Sequence, residues 1–384
     1  MKKILHLSLA SLGFAAVSTA HAQSSVTLYG VIDAGLMYTN NISKSGTSGP
    51  LFQATSGNIN GSRFGFRGAE DLGGGLKAVF VLENGFNVQS GKLGQDGREF
   101  GRQAYVGLAS SQYGAVTLGR QYDSLVDFVA PLSGTAGTFG DTGFAHPFDN
   151  DNLNHSVRMS NAVKYMSSNY AGFKFGTLYA FSNSTNFSQN RAYSFGASYN
   201  YGPLNVAAGY LQTNGSNSTT NTGGAIDTAE STANGTGGFL VGSNRTRVFG
   251  GAVNYAFGPA LVGFVYTHSQ YAGTNSFGLK NGTMRFDNFE LNGKYALTPA
   301  LSLGIADTYT DGHLSGATTF GPDPKFNQIN GQAVYSFSKR TDAYAEAMYQ
   351  HAIGNKFVAF INTSGGASST ANQVVATVGI RTRF

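Results

Sequence analysis

The side chains with most chemical potential gather in one stretch, Asp123 to Ser156, which reads DSLVDFVAPLSGTAGTFGDTGFAHPFDNDNLNHS. His146, Asp149, Asp151 and His155 lie close together near its end. Asp149-Asn150-Asp151-Asn152 offers the alternating oxygens of a calcium loop. It lacks the glycine and the closing glutamate that an EF-hand needs, so a polar turn is the simpler reading and no metal is expected. His268 and His351 sit on alternating segments with Ser and Asp nearby, but no nucleophile motif surrounds either. The chain has no Cys, which removes thiolate chemistry and disulfides and suits an oxidising compartment. What remains is fixed charge: Asp123, Asp127 and Asp141 within the stretch, and Arg63, Arg67, Lys77, Arg102 and Arg120 before it. Opposed charges facing each other across water make and break no bonds. They sort ions. No enzyme and no cofactor is expected.

The stretch itself must be held in place. Its flanks alternate strictly, AVTLGRQY before and VRMSNAVKYMSSNY after, while inside it Gly, Pro, Asp and Asn break the pattern. Yet Phe128, Val129, Leu132, Phe139, Phe144 and Phe148 remain. Loops this long are functional or disordered, and a disordered linker does not carry such an aromatic load. Residues 123–156 are therefore expected to fold inward and narrow the lumen of a β-barrel.

The wall is legible as period two. SVTLYGVIDAGLMY puts Leu28, Ile32, Ala34, Leu36 and Tyr38 on one face and Thr27, Tyr29, Asp33 and Thr39 on the other. Sixteen such segments follow one another: 25–40, 62–70, 76–90, 99–110, 115–122, 157–169, 173–183, 191–201, 204–213, 245–257, 260–272, 284–297, 300–312, 325–338, 340–353 and 372–384. Most reach the ~9–11 residues that a tilted strand needs to cross a bilayer. Short connections, such as Gly202-Pro203 and Gly258-Pro259, alternate with long ones at 41–61, 87–98, 123–156, 184–190, 214–244, 273–283, 313–324 and 354–371. That asymmetry is the signature of an all-β, antiparallel transmembrane barrel with short periplasmic turns and long extracellular loops. Closure is required, because an open edge would leave backbone groups unpaired in lipid. Tyr255, Tyr295 and Tyr335 recur every forty residues just before short turns. Two long strands per period exclude a propeller, and the rings read as an interfacial girdle.

Composition agrees. Only 12% of residues are charged, against about 25% in an average soluble domain. The formal charge of +5 comes without any Arg/Lys run, so no nucleic acid is expected as partner. Residues 1–22 read as a signal peptide: Lys2 and Lys3, an apolar core from Ile4 to Val17, and Ala20-His21-Ala22 as cleavage site. The barrel would then occupy 23–384. No later segment is apolar for the ~20 residues of a helical span.

The start SSVTLYGVIDAGL, the stretch SRFGFRGAEDLGGG at 62–75, the strand AVTLGRQ at 115–121 and the end VGIRTRF resemble Gram-negative general porins, nearest the betaproteobacterial branch. The resemblance covers the whole mature chain. It implies a sixteen-stranded trimeric barrel with the third external loop folded inside, in contact with outer-membrane lipid and lipopolysaccharide. Phe139-Gly140-Asp141 resembles the element that several members carry near the tip of that loop. Phe384, ending an alternating strand, resembles the family's assembly signal for the barrel insertion machinery. The function implied is passive diffusion of small hydrophilic solutes and ions across the outer membrane. A substrate-specific channel for anionic or sugar solutes is the alternative.

Alternation places Arg63 and Arg67 opposite the lipid-facing Phe64 and Phe66, and Lys77 and Glu83 opposite Phe80 and Leu82. Strict alternation would turn Arg120 and Arg102 toward lipid with Leu118 and Ala104. Either a bulge re-aims them or protein covers them. The family's basic wall cluster maps by motif onto Arg63 and Arg102 and favours the lumen. A unit pair about 9 Å apart in water is worth roughly 0.5 kcal/mol, and the Debye length is about 8 Å. An excess of one or two positive charges thus predicts an anion preference of only several-fold.

Overall fold

The computed structural model describes residues 25–44, 47–137, 139–140, 142–227, 242–316, 323–354 and 356–384. The expected leader, 1–22, lies outside them. Strand segments follow in chain order: β1 (Ser25–Lys44), β2 (Thr47–Ser56), β3 (Arg63–Gly73), β4 (Leu76–Gly85), β5 (Gln103–Ser110), β6 (Gly114–Gln121), β7 (Met159–Met166), β8 (Phe173–Ala180) and β9 (Arg191–Tyr201). Then come β10 (Leu204–Asn214), β11 (Arg245–Phe257), β12 (Ala260–Thr274), β13 (Gly282–Ala296), β14 (Leu301–Ser315), β15 (Lys325–Ser336), β16 (Thr341–Ile353) and β17 (Asn372–Arg383). Each pairs antiparallel with its neighbour, and β17 returns to β1 with Val31 opposite Arg383. The barrel is closed.

Seventeen segments make sixteen wall positions, because β2 and β3 share one. The upper half of β1 pairs with β2, Ala34 opposite Ser56, and its lower half with β3, Val31 opposite Arg63. Between them residues 57–62 leave the ladder. The Asp33 carboxylate accepts the N–H groups of Ile59 and Asn60, both at 2.9 Å, and the Ser62 hydroxyl donates to the Asp33 carbonyl at 3.0 Å. Residues 41–61 are thus not the plain loop expected from sequence. Pro50 sits where the β1–β2 register shifts, between Leu51 opposite Thr39 and Gly49 opposite Ile42. An irregularity of this kind tolerates its missing N–H.

The wall is inverted relative to a soluble protein. Phe195, Phe249, Leu291, Ile305, Val378 and Ile380 are exposed on the outer face, while Asn288, Glu290, Thr310, Gln328, Asn330 and Gln350 are buried inside. Near the short turns Tyr199 stacks on Tyr201 at 6.3 Å and Tyr335 lies edge-on to Phe337 at 5.4 Å, all four exposed. Further up the outer face Tyr38 meets Phe52 at 5.0 Å and Tyr266 meets Phe289 at 5.2 Å. The last residue closes the seam: Phe384 and Gly30 exchange both backbone hydrogen bonds at 3.1 Å. Its ring covers Gly30, where any side chain would collide with it.

Candidate constriction site

Loop 123–156 enters the barrel because the wall beside it is carved from small residues. A Cβ on Gly196 would stand 2.7 Å from Phe128, and one on Gly209 would stand 3.1 Å from Leu125. Phe128, Leu125, Val129 and Leu132 pack there with Ala192, Ala207 and Ala252. The loop then crosses to the far wall. Gly134 donates its N–H to Glu290 of β13 at 2.8 Å. Phe139 packs with Phe144, Ala306, Met37 and Met348, directly over Gly304 of β14. At its tip the carbonyl of Gly140 accepts the Asn60 amide at 3.2 Å, and Thr142 donates its N–H to the Asn58 carbonyl at 2.9 Å. The 57–62 insert therefore holds the tip. Thr142 begins a short helical turn through Phe144.

The return limb is fastened by a buried polar network. His146 Nδ1 lies 2.6 Å from Asp151 and Nε2 3.1 Å from Glu290, with all three side chains sealed from solvent. Flanked by two carboxylates, the imidazole stays protonated, its pKa pushed up to about 10 against the cost of burial. Thr267 donates to Asp151 at 2.6 Å and Ser269 to Asn150 at 2.8 Å. Asp149 accepts the N–H groups of Asn154 and Ser156. Burial and then the charge of Asp151 raise it to about 7. The oxygens that suggested a calcium loop are spent on these bonds. Beyond them Phe148 stacks on Phe360 at 5.7 Å and meets Phe326 edge-on at 5.4 Å.

Between the loop and the wall lies a cavity of about 330 Å³, the candidate passage, lined by Arg63, Tyr122, His155, Asn60, Asp127 and Thr135, among others. On the wall side Glu83 gathers two guanidiniums, Arg102 at 2.7 Å and Arg63 at 3.7 Å, and accepts the Tyr29 hydroxyl at 2.9 Å. Arg102 also donates to the Tyr122 hydroxyl at 3.0 Å. Tyr122 stacks on His155 at 5.3 Å and carries Arg158 at 5.7 Å on its ring. Burial first, then the guanidiniums of Arg102, Arg158 and Arg63, hold His155 well below the usual imidazole range, so it is neutral. On the loop side Asp127 pairs with Lys164 of β7.

The residues singled out by sequence do not all meet here. Arg63 and Asp127 line the passage. Arg102 turns inward because it precedes β5, where alternation does not yet govern its direction, and it is buried behind Glu83. Arg120 sits where the β6–β7 register shifts. Its guanidinium is buried on the carbonyls of Gly101 and Arg158 and the hydroxyl of Ser160, so it braces backbone. Arg67 stands over the Tyr29 ring at 5.2 Å. Lys77 faces inward by alternation but lies opposite Asp71, next to the short turn. At ~3.4 Å per residue it is roughly 27 Å along the strand from Arg63. Asp123 is fully buried as a cap, taking the N–H of Leu125 at 2.7 Å and the Asn152 amide at 2.8 Å. Burial lifts its pKa to about 6. Asp141 lies outside the described residues. The sequence does not reveal Glu83 as a shared counter-ion or Lys164 as the partner of Asp127. The inward aim of Lys164 was readable from the inner parity of NAVKYM. The role of Asn60 was not, because nothing local marks 57–62 as an insert.

Among the described residues no group of three or more His, Cys, Asp or Glu side chains could hold a metal ion. The model for the Gram-negative porins matches residues 8–355. An outer membrane porin protein of Bordetella pertussis is 34% identical over 421 aligned positions, covering 100% of both chains. Outer membrane porin protein 32 of Delftia acidovorans is 34% identical over 55% of this chain and 60% of its own. Among solved structures, an anion-selective porin from Comamonas acidovorans superposes with a TM-score of 0.73 at 22% identity, over 94% of this chain and all of that one. OmpT of Vibrio cholerae in a trimer form gives 0.65 at 16% identity, over 94% of this chain and 99% of that one.

Proposed function

From the premise that this chain belongs to the Gram-negative porin family, we propose how its outer-membrane channel sorts what diffuses through it. Small hydrophilic solutes and ions cross passively, and no catalytic step or cofactor is needed. The observation that carries the reading is the charge count at the passage. Two guanidiniums, Arg63 and Arg102, share the single carboxylate of Glu83, while Asp127 and Lys164 cancel. The constriction is left with about one excess positive charge, presented by Arg63, the more exposed of the two arginines. One unit charge about 7 Å from a passing ion is worth roughly 0.6 kcal/mol in water. Attraction of anions and repulsion of cations together amount to a several-fold anion preference. Arg102 contributes by holding Glu83, and Arg67 by adding positive charge nearer the periplasmic mouth. Arg120, Asp123, Phe139 and Gly140 act by seating the loop.

The assembled form in this reading is a homotrimer. The outer face around the seam of β1, β2, β16 and β17 carries a shallow apolar groove of about 570 Å³, lined in part by Leu36, Phe52, Ala54, Ala345 and Ala376, which suits close packing of subunits. Phe384, closing that seam, is the residue offered to the barrel assembly machinery. Swelling of liposomes carrying the processed protein tests the reading: pentoses should permeate and large dextrans should not. Vesicles impermeable to pentoses would refute it.

A further inference from the structure

The 57–62 insert that holds the loop tip is itself held by the end of the chain. Arg381 lies on the inner face of β17, in register between Asp342 of β16 and Asp33 of β1. It is buried, and each of its three guanidinium nitrogens is used. Nε and Nη2 fork onto Asp342 at 3.0 and 3.1 Å, and Nη1 donates to the side-chain carbonyl of Asn60 at 2.6 Å. The other end of the same amide donates to the Gly140 carbonyl at 3.2 Å. A guanidinium can only donate and a peptide carbonyl can only accept, so the amide has one orientation, and an ionised carboxylate of the same shape could not serve both partners. Gly140 completes the joint. Its φ of +66° disfavours any side chain, and a Cβ there would stand 2.9 Å from the Asn60 amide nitrogen.

The insert carries a second load. The Gly61 carbonyl, next to the residue that receives Arg381, accepts Nη1 of Arg63 at 3.0 Å. That bond keeps Arg63 at 3.7 Å from Glu83, while Arg102 takes the same carboxylate at 2.7 Å. Asp33 fastens the insert by accepting the N–H groups of Ile59 and Asn60. Tyr344 of β16 donates to Asp33 and accepts the Asn58 amide at 3.1 Å. These anchors belong to β1, β16 and β17, the strands on either side of the barrel seam.

We propose that Arg381 is a positioning residue for the pore. Acting through Asn60, it fixes at once where the loop tip stands and where Arg63 points, so that one strut sets both width and charge preference. The part concerning Arg63 rests on the charge count proposed above; the part concerning the tip does not. Without the bond from Arg381 the Asn60 amide loses its orientation, the Gly140 carbonyl loses its donor, and the insert can shift. Released from Gly61, Arg63 closes onto Glu83 and its charge withdraws from the passage.

The test combines amide exchange with planar-bilayer recording on the full mature protein. The D342N/R381Q variant keeps the net charge but shortens the arm, so Asn60 loses its donor. Exchange at Thr142, whose N–H bonds the Asn58 carbonyl, should rise about tenfold. The chloride-to-potassium permeability ratio should fall about twofold, and exchange at Val378, within the β16–β17 ladder, should stay native. N60D keeps the bond to Arg381 but sets a carboxylate against the Gly140 carbonyl; it should raise exchange at Thr142 as much, and it carries the test if the double variant does not assemble. R381K retains a donor within reach of Asn60 and should keep exchange at Thr142 within about threefold of native. Native exchange at Thr142 in either D342N/R381Q or N60D would overturn the strut. A rise shared by Val378 would make Arg381 a brace of the wall and would overturn its positioning role. A loosened tip with an unchanged chloride ratio would overturn its control of Arg63. If the native channel shows no chloride preference, the charge count fails by itself, and exchange at Thr142 still decides the strut.

Discussion

Replacing His146 by Gln should loosen the constriction loop while leaving the barrel intact. The imidazolium lies between Asp151 at 2.6 Å and Glu290 at 3.1 Å, and none of the three side chains reaches solvent. Removing the cation leaves two buried carboxylates facing a neutral amide. Breaking a buried ion pair in this way typically costs about 3–5 kcal/mol. A second route to the magnitude agrees. The loop can stay seated if one carboxylate takes up a proton, at ~1.4 kcal/mol for each pH unit above its pKa; for an ordinary carboxyl near 4 at pH 7 that is about 4 kcal/mol. The ratio of seated to unseated loop should therefore fall by roughly two to three powers of ten. The ladders, β12–β13 and β13–β14 included, do not depend on His146. The predicted phenotype is a native content of strand, frequent conductance steps in single-channel traces, and faster amide exchange at Leu125 and Gly134. Because the second route relies on a proton, flicker should subside as the pH falls toward 5. The H146Q/D151N/E290Q variant, with no buried charge left, should recover much of the quiet trace. If H146Q is as quiet as the native channel at pH 7, with unaltered exchange in the loop, the network does not hold the loop.

Three other outcomes follow from the same geometry. Removing the shared counter-ion by Glu83→Gln adds a net positive charge beside the passage and frees two guanidiniums; the chloride preference should rise about two- to threefold, read from reversal potentials, whereas a fall would show that Glu83 does not neutralise the pore-facing arginines. An added methyl in Gly304→Ala would occupy the place of the Phe139 ring; the tip should be displaced and the conductance become larger or unstable, and an unchanged conductance would mean that the tip is not seated there. The loop carboxyls Asp123, raised to about 6, and Asp149, raised to about 7, favour the protonated form when buried. Their contribution to loop seating is fully present below the unbound value near 4 and is lost as pH rises through 6 to 7. Amide exchange in residues 123–156 should thus slow between pH 8 and pH 5 once corrected for its intrinsic pH dependence; acceleration would contradict the sign.

The barrel was written in alternation, since period two is the pattern by which a strand presents one face to lipid and the other to water. The seat of the loop was partly written too: Phe128, Phe139, Phe144 and Phe148 had to go somewhere dry. What receives them was not legible, because Gly196, Gly209 and Gly304 become a furrow only when distant strands come together. Direction failed at strand ends. Arg102 and Arg120 stand where the ladder starts or shifts, and there hydrogen bonding to Glu83 or to carbonyls decides the aim. Charge alone makes Asp123 a candidate pore acid; a carboxylate just before LVDFV is equally the cap of a first helical turn. Residues 57–62 look like loop in sequence because what anchors them, the Asp33 carboxylate, belongs to a different strand and meets their N–H groups only once the wall has formed.

The most direct test of a passage with one excess positive charge is the zero-current potential of the native channel in a planar bilayer under a potassium chloride gradient, repeated with Arg63→Gln. The native potential should have the sign of chloride passing several-fold faster than potassium, and the variant's should move most of the way to zero. A potassium-selective native channel, or an R63Q potential equal to the native one, would contradict the charge count on which the account rests.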